Sequence, residues 1–93
     1  MYRLKHFQIK VTGIVQGVWF RKYTQEAALQ FGIKGFVMNL PDNSVYIEAV
    51  GDDEQLKKFI AWCYVGSPKS KVEKVEVLEK TSSEKLDGFE IRS

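Results

Sequence analysis

Hydrophobic periodicity along the chain predicts an α+β sandwich, an antiparallel sheet with two helices on one face. Three observations carry this. Several short runs alternate apolar and polar residues with a period of two, as half-buried strands do. Two longer runs repeat their apolar residues at helical spacing. Turn-forming residues separate the runs, and their order is β-α-β-β-α-β with a short strand at the end. That order describes a split βαβ, ferredoxin-like sandwich.

The first strand runs from Lys5 to Gly13, with Phe7, Ile9 and Val11 on the covered face and His6, Gln8, Lys10 and Thr12 on the uncovered one. A glycine-containing loop leads to a helix over Arg21 to Phe31, whose expected buried stripe is Tyr23, Ala27 and Phe31 with Ala28 beside them, and whose αL cap is Gly32. Gly35 to Leu40 and Ser44 to Val50 form a hairpin around Pro41, Asp42 and Asn43. Pro41 suits the second position of a type I turn, and Asn43 tolerates a left-handed conformation. Asp52 and Asp53 open the second helix, striped by Leu56, Phe59, Ile60 and Cys63 and stopped by Gly66 and Pro68. Val75 and Val77 mark a further strand, and Phe89 and Ile91 the short last one. Thr81 to Asp87 reads as a polar loop.

The chain has 93 residues, the size of a single small domain, so residues 1–93 are expected to fold as one unit. Its hydrophobic fraction of 44% and net charge of +2 exclude intrinsic disorder and make nucleic acid an unexpected partner. One Cys excludes an internal disulfide and CxxC chemistry, and suits a reducing compartment. The longest apolar run, Phe59 to Val65, is far short of the about 20 residues of a membrane helix, and Met1 to Phe7 leads into no continuous apolar stretch of a signal peptide. The expectation is a cytoplasmic monomer without a membrane partner.

The segment Gly13-Ile14-Val15-Gln16-Gly17-Val18-Trp19-Phe20-Arg21 joins the first strand to the first helix. Two glycines in such a loop allow successive backbone N–H groups to converge, and the helix dipole adds positive potential at the same place. Arg21 is then a cation at a helix start, a position the dipole disfavours unless an anion is bound. Its planar fork could take two phosphate oxygens. The pattern is neither GxxxxGK[ST] nor GxGxxG, so no nucleotide is implied. The same residues also suit a plain strand-to-helix turn with a solvated Arg21. Trp19 and Phe20 read as packing residues, Asn39 as a strand-end amide, His6 as a surface residue, Cys63 as core and Trp62 as partly exposed.

The run from Val11 to Arg21 resembles the first signature of the acylphosphatase family, an apolar residue, x, Gly, x, Val-Gln-Gly-Val, x, Phe, Arg. Gly35-Phe36-Val37-Met38-Asn39, continuing to Val45 and Gly51, resembles the second, and Gly66-Ser67-Pro68 extends the likeness toward the end of the chain. Asn43 departs from it, standing where the second signature has Gly. The resemblance implies hydrolysis of carboxyl-phosphate anhydrides without metal or cofactor. It assigns catalysis to Arg21 and Asn39, and phosphate binding to Val15, Gln16, Gly17, Val18, Trp19, Phe20 and Arg21. The partners it implies are an acyl phosphate substrate and inorganic phosphate.

The residues are compatible with that chemistry. The leaving group is a carboxylate, whose conjugate acid has a pKa of about 4, so no strong general acid is required. His6 is the only histidine, and no nucleophile-base constellation can be assembled. Holding the phosphoryl group, neutralising it and aiming a water remain to be done, and Asn39 can both donate to and accept from that water. Two alternatives share the fold: an RNA-recognition module, for which the aromatic K/R-G-F/Y-G/A-F-V-x-F/Y run is missing, and an anion-binding domain without turnover.

Overall fold

The computed structural model describes residues 4–81 and 86–93. Residues 82–85 of the expected Thr81 to Asp87 loop, and residues 1–3 of the Met1 to Phe7 segment, lie outside the described residues. The elements are β1 (Lys5–Ile14), α1 (Phe20–Gln30), β2 (Lys34–Asn39), β3 (Val45–Gly51), α2 (Asp53–Val65), β4 (Lys71–Lys80) and β5 (Phe89–Arg92). The sheet order is β4-β1-β3-β2-β5. The first four strands pair antiparallel, while β5 runs parallel to β2 at the edge, so the sheet is mixed. Four residues carry no sequence signal of strand direction, which is why the parallel pairing was not foreseen.

One core lies between the sheet and the helices. Ile9 and Val11 of β1, Val37 of β2, Val45 and Ile47 of β3, and Phe89 of β5 pack against Phe20, Ala27 and Ala28 of α1 and against Leu56, Phe59 and Cys63 of α2. Each large side chain so buried stabilises the fold by roughly 1.5–3 kcal/mol. Phe59 is central, with its ring 6.0 Å from Phe89 and 6.4 Å from Trp62. Cys63 is fully buried, and burial pushes its thiol pKa up to about 12.

The stripe of α1 differs from expectation. The buried residues are Phe20, Thr24, Ala27 and Ala28, and Tyr23 is exposed. Thr24 escapes an apolar pattern search because it is polar, yet its Oγ1 donates to the Phe20 carbonyl at 2.7 Å and is thereby satisfied inside the core. At the hairpin, the Asn43 amide donates to the Leu40 carbonyl with Pro41 next in the turn, and Asn43 itself sits at φ 73.

His6 is not a surface residue; it is only 5% exposed. It does face away from the helices, but Glu48 on the neighbouring strand shares that face. His6 Nε2 donates to Glu48 Oε1 at 2.7 Å, and the Tyr46 hydroxyl donates to Oε2 at 2.7 Å. Lys80 stands 3.5 Å from the same carboxylate. Burial raises the Glu48 pKa, but Tyr46, His6 and Lys80 together outweigh it and hold the group below the ordinary 4.5.

The folded state therefore gains stability from ionised Glu48 above about pH 4.5, and loses it as the pH falls through the lower folded value. Asp42 and Asp53 are also held low, Asp42 first by the Ser44 hydroxyl and Asp53 first by Lys5, so the wild-type acid transition is composite. Glu48→Gln is expected to lower stability at neutral pH by about 1–3 kcal/mol, and to lose less than the wild type between pH 5 and 3. Urea titrations of both proteins across that range measure the difference.

Candidate active site

The site begins where β1 leaves the sheet. The register of β1 against β4 shifts between Thr12 and Gly13, a bulge that re-aims the chain. Gly13 has φ 134, and a Cβ there would lie 2.2 Å from the Lys71 carbonyl oxygen, so only glycine fits. Val15, fully buried, anchors the loop to the core. Gly17 at φ 72 and Trp19 at φ 62 then turn the backbone into α1. For Trp19 the left-handed conformation costs about 1–2 kcal/mol.

Two side chains fix this loop from either side. Gln16 Nε2 donates to the carbonyls of Leu40 at 2.9 Å and Ser44 at 2.8 Å, tying the loop to the β2–β3 turn. Buried Ser67 donates to the Val18 carbonyl at 2.8 Å. In a trans peptide the C=O and the following N–H point in opposite directions, so this bond turns the Trp19 N–H away from Ser67. Phe20 locks the start of α1 beneath Trp62, with ring centroids 5.5 Å apart.

The two helices begin differently. Asp52 caps α2 through a reciprocal box with Gln55, and Asp53 and Glu54 fill its first turn. Trp19 at the start of α1 makes no side-chain cap bond, and no acid lies in that first turn. The first amide bond there is Tyr23 N–H to the Trp19 carbonyl at 3.1 Å, so the amides of Phe20, Arg21 and Lys22 have no intrahelical acceptor. The α1 N-terminus has open donors, two adjacent cations and no counter-charge from its own first turn.

A cleft of about 480 Å³ opens over this helix start, lined by Val15, Gly17, Trp19, Phe20, Arg21, Lys22, Asn39 and Ile91. Arg21 and Asn39, predicted from separate segments, thus meet at one cavity. Arg21 Nη1 donates to the Arg92 carbonyl at 3.1 Å, which tethers the guanidinium at one nitrogen and leaves its other N–H groups for a ligand. Asn39 closes β2 at the cleft wall, and its Oδ1 is buried without a hydrogen-bond partner. None of the lining residues is acidic.

The remaining predicted residues divide. Val15, Gly17, Trp19 and Phe20 line the cleft, whereas the Gln16 side chain is spent on the hairpin and that of Val18 packs on the core. Trp19 is not the packing residue expected from its type, being 73% exposed, because its left-handed backbone carries the side chain out of the core. Lys22 and Ile91 were not foreseen. Lys22 had a signal in its place beside Arg21; Ile91 had none, since only the pairing of β5 beside β2 brings it here.

The model of the acylphosphatase family matches residues 7–91. The chain is 43% identical over 89 residues to an acylphosphatase of Thermotoga petrophila, covering 96% of this chain and 98% of that one. Its structure resembles the crystal structure of an acylphosphatase from Bacillus subtilis with TM-score 0.92 and 37% identity, over 98% of this chain and 100% of the other. It also resembles one part of full-length HypF in a phosphate- and nucleotide-bound form, with TM-score 0.87 and 28% identity, where all of this chain matches 12% of the larger protein.

Proposed function

Given that the chain belongs to the acylphosphatase family and is an acylphosphatase, cleaving acyl phosphates to a carboxylate and inorganic phosphate, we propose that the cleft at the start of α1 does this chemistry with Arg21 and Asn39. The observation that supports it is the open helix N-terminus described above, facing a cleft lined by both residues and by no carboxylate.

In this reading the loop amides between Val15 and Arg21, with the Arg21 guanidinium, hold the phosphoryl oxygens and offset the charge that builds on them. Asn39 holds a water on the side opposite the leaving group. The water oxygen bonds to phosphorus as the bond from phosphorus to the carboxyl oxygen breaks, and the carboxylate departs with that electron pair. An amide is too weak a base to take the water's proton, so the proton passes to a phosphoryl oxygen of the substrate. Gln16 and Ser67 act on the loop's geometry.

Benzoyl phosphate is expected to be hydrolysed without added metal and in the presence of EDTA, with inorganic phosphate as a competitive inhibitor. Loss of rate on chelation, restored by a divalent ion, would contradict the assignment, as would phosphate that fails to compete. Tight phosphate binding with no turnover would instead favour an anion-binding domain.

An RNA-recognition role gains no support from the sheet face away from the helices. Its Phe36 ring is covered by the Arg92 guanidinium at 3.8 Å, and ionised Glu48 sits in the middle of that face. The reading extends to a monomer in the cytoplasm. The cytoplasmic part is supported by a chain with one Cys and so no disulfide within it, as is usual in a reducing compartment. Among the described residues no helix is long and apolar enough to cross a membrane.

A further inference from the structure

Trp19 is the one residue of the cleft that the fold itself does not explain. Among the described residues, every other position with positive φ is occupied by Gly or Asn, the types that adopt it at least cost. Here the chain places its largest side chain at such a position and leaves it 73% exposed. Neither core packing nor turn formation accounts for that choice. The indole nonetheless lines the same cleft as Arg21 and Asn39, and Ile91, 40% exposed, lines it with Trp19.

An acyl phosphate has two parts. With its phosphoryl group on the α1 amides and Arg21, its acyl substituent must lie elsewhere in the cleft, where Trp19 and Ile91 supply the exposed apolar surface. We propose that these two side chains form an acyl subsite that selects planar, apolar acyl groups, with aromatic acyl phosphates preferred over short aliphatic ones. This rests on the hydrolase reading and adds its substrate class. A flat ring stacked on the indole removes a large apolar surface of both partners from water, and a methyl group removes much less. The strain at Trp19 then has a use, since the left-handed backbone carries the ring outward while its amide stays in the helix-start loop.

The same φ makes the test clean, because glycine adopts φ 62 without cost and so removes the ring with little disturbance of the backbone. The measurement is kcat/KM for benzoyl phosphate and for acetyl phosphate in wild type, Trp19→Gly, Trp19→Phe and Ile91→Ala. Comparing the ratio between proteins cancels the intrinsic reactivities of the two anhydrides. The benzoyl-to-acetyl ratio is expected to fall roughly 10-fold in Trp19→Gly and several-fold in Ile91→Ala, and to be largely kept in Trp19→Phe. An unchanged ratio, or a loss falling equally on both substrates, would overturn the subsite while leaving the hydrolase reading intact. Faster turnover of a dicarboxylic acyl phosphate than of benzoyl phosphate, abolished by Lys22→Ala, would overturn it in favour of charge recognition. No turnover of any acyl phosphate by the wild type would overturn both readings together.

Discussion

Arg21→Lys is expected to lose almost as much activity as Arg21→Ala, on the order of 10³-fold in kcat/KM, although it keeps the charge. The guanidinium is tethered in the structure by donation from Nη1 to the Arg92 carbonyl at 3.1 Å. Its remaining donors are held in the same plane, ready to meet two phosphoryl oxygens at once. An ammonium on a flexible stem can reach the carbonyl or one oxygen, but it cannot present a paired edge. It is also more strongly hydrated, so displacing its water on binding costs more. Both KM for substrate and the inhibition constant of phosphate should rise while kcat falls, since the contact exists in the ground state and strengthens as charge builds in the transition state. Steady-state kinetics of the two variants, with circular dichroism to confirm the fold, measure this. Near wild-type kinetics in Arg21→Lys would show that charge alone is sufficient.

Asn39→Ala is expected to lower kcat by roughly 10²–10³ while phosphate affinity stays within a few-fold of wild type. The separation follows from the proposed division of labour, in which the α1 amides and Arg21 hold the anion and the amide of Asn39 holds the water. Asn39 Oδ1 is buried and without a partner in the protein, an unfilled acceptor whose loss breaks no bond of the fold. Truncation removes that unfilled acceptor together with the water's anchor, so the variant should be no less stable than wild type beyond the small loss of packing. Single-turnover hydrolysis and calorimetric titration with inorganic phosphate give the two quantities. A proportional loss of both would place Asn39 in the anion site; unimpaired turnover would make it a turn residue only.

What was legible in the sequence was what is local. Loop and helix start depend on Gly13, Gly17 and their neighbours within one short segment, so the loop could be read there directly, as an anion cradle or a plain turn, and its likeness to a family signature chose the first. The Pro41 to Asn43 turn was readable for the same reason, and the φ of 73 at Asn43 accords with the choice of Asn. Partnerships across the sheet were not readable. His6 looked like a solvated residue because a single strand pattern cannot show that Glu48 arrives beside it from β3. Thr24 was missed because a side chain that satisfies its own hydroxyl on the preceding turn counts as apolar in the core. Trp19 was misread because residue type says what a side chain prefers, and a left-handed backbone decided where it went. Ile91 and Arg92 depended on the parallel docking of four residues onto β2, which no periodicity records.

That late docking has a consequence in time. The bond from Arg21 to Arg92 joins positions 71 residues apart, and ribosomes add roughly 5–20 residues each second, so several seconds separate the synthesis of the two partners. β1, which lies between β3 and β4, also waits through most of this interval for its second neighbour. Its backbone edge is open meanwhile, as in any strand whose partner has yet to emerge. A nascent chain stalled before Phe89 therefore already contains both signature segments, but its arginine has no carbonyl to hold it and its cleft lacks the wall that Ile91 supplies.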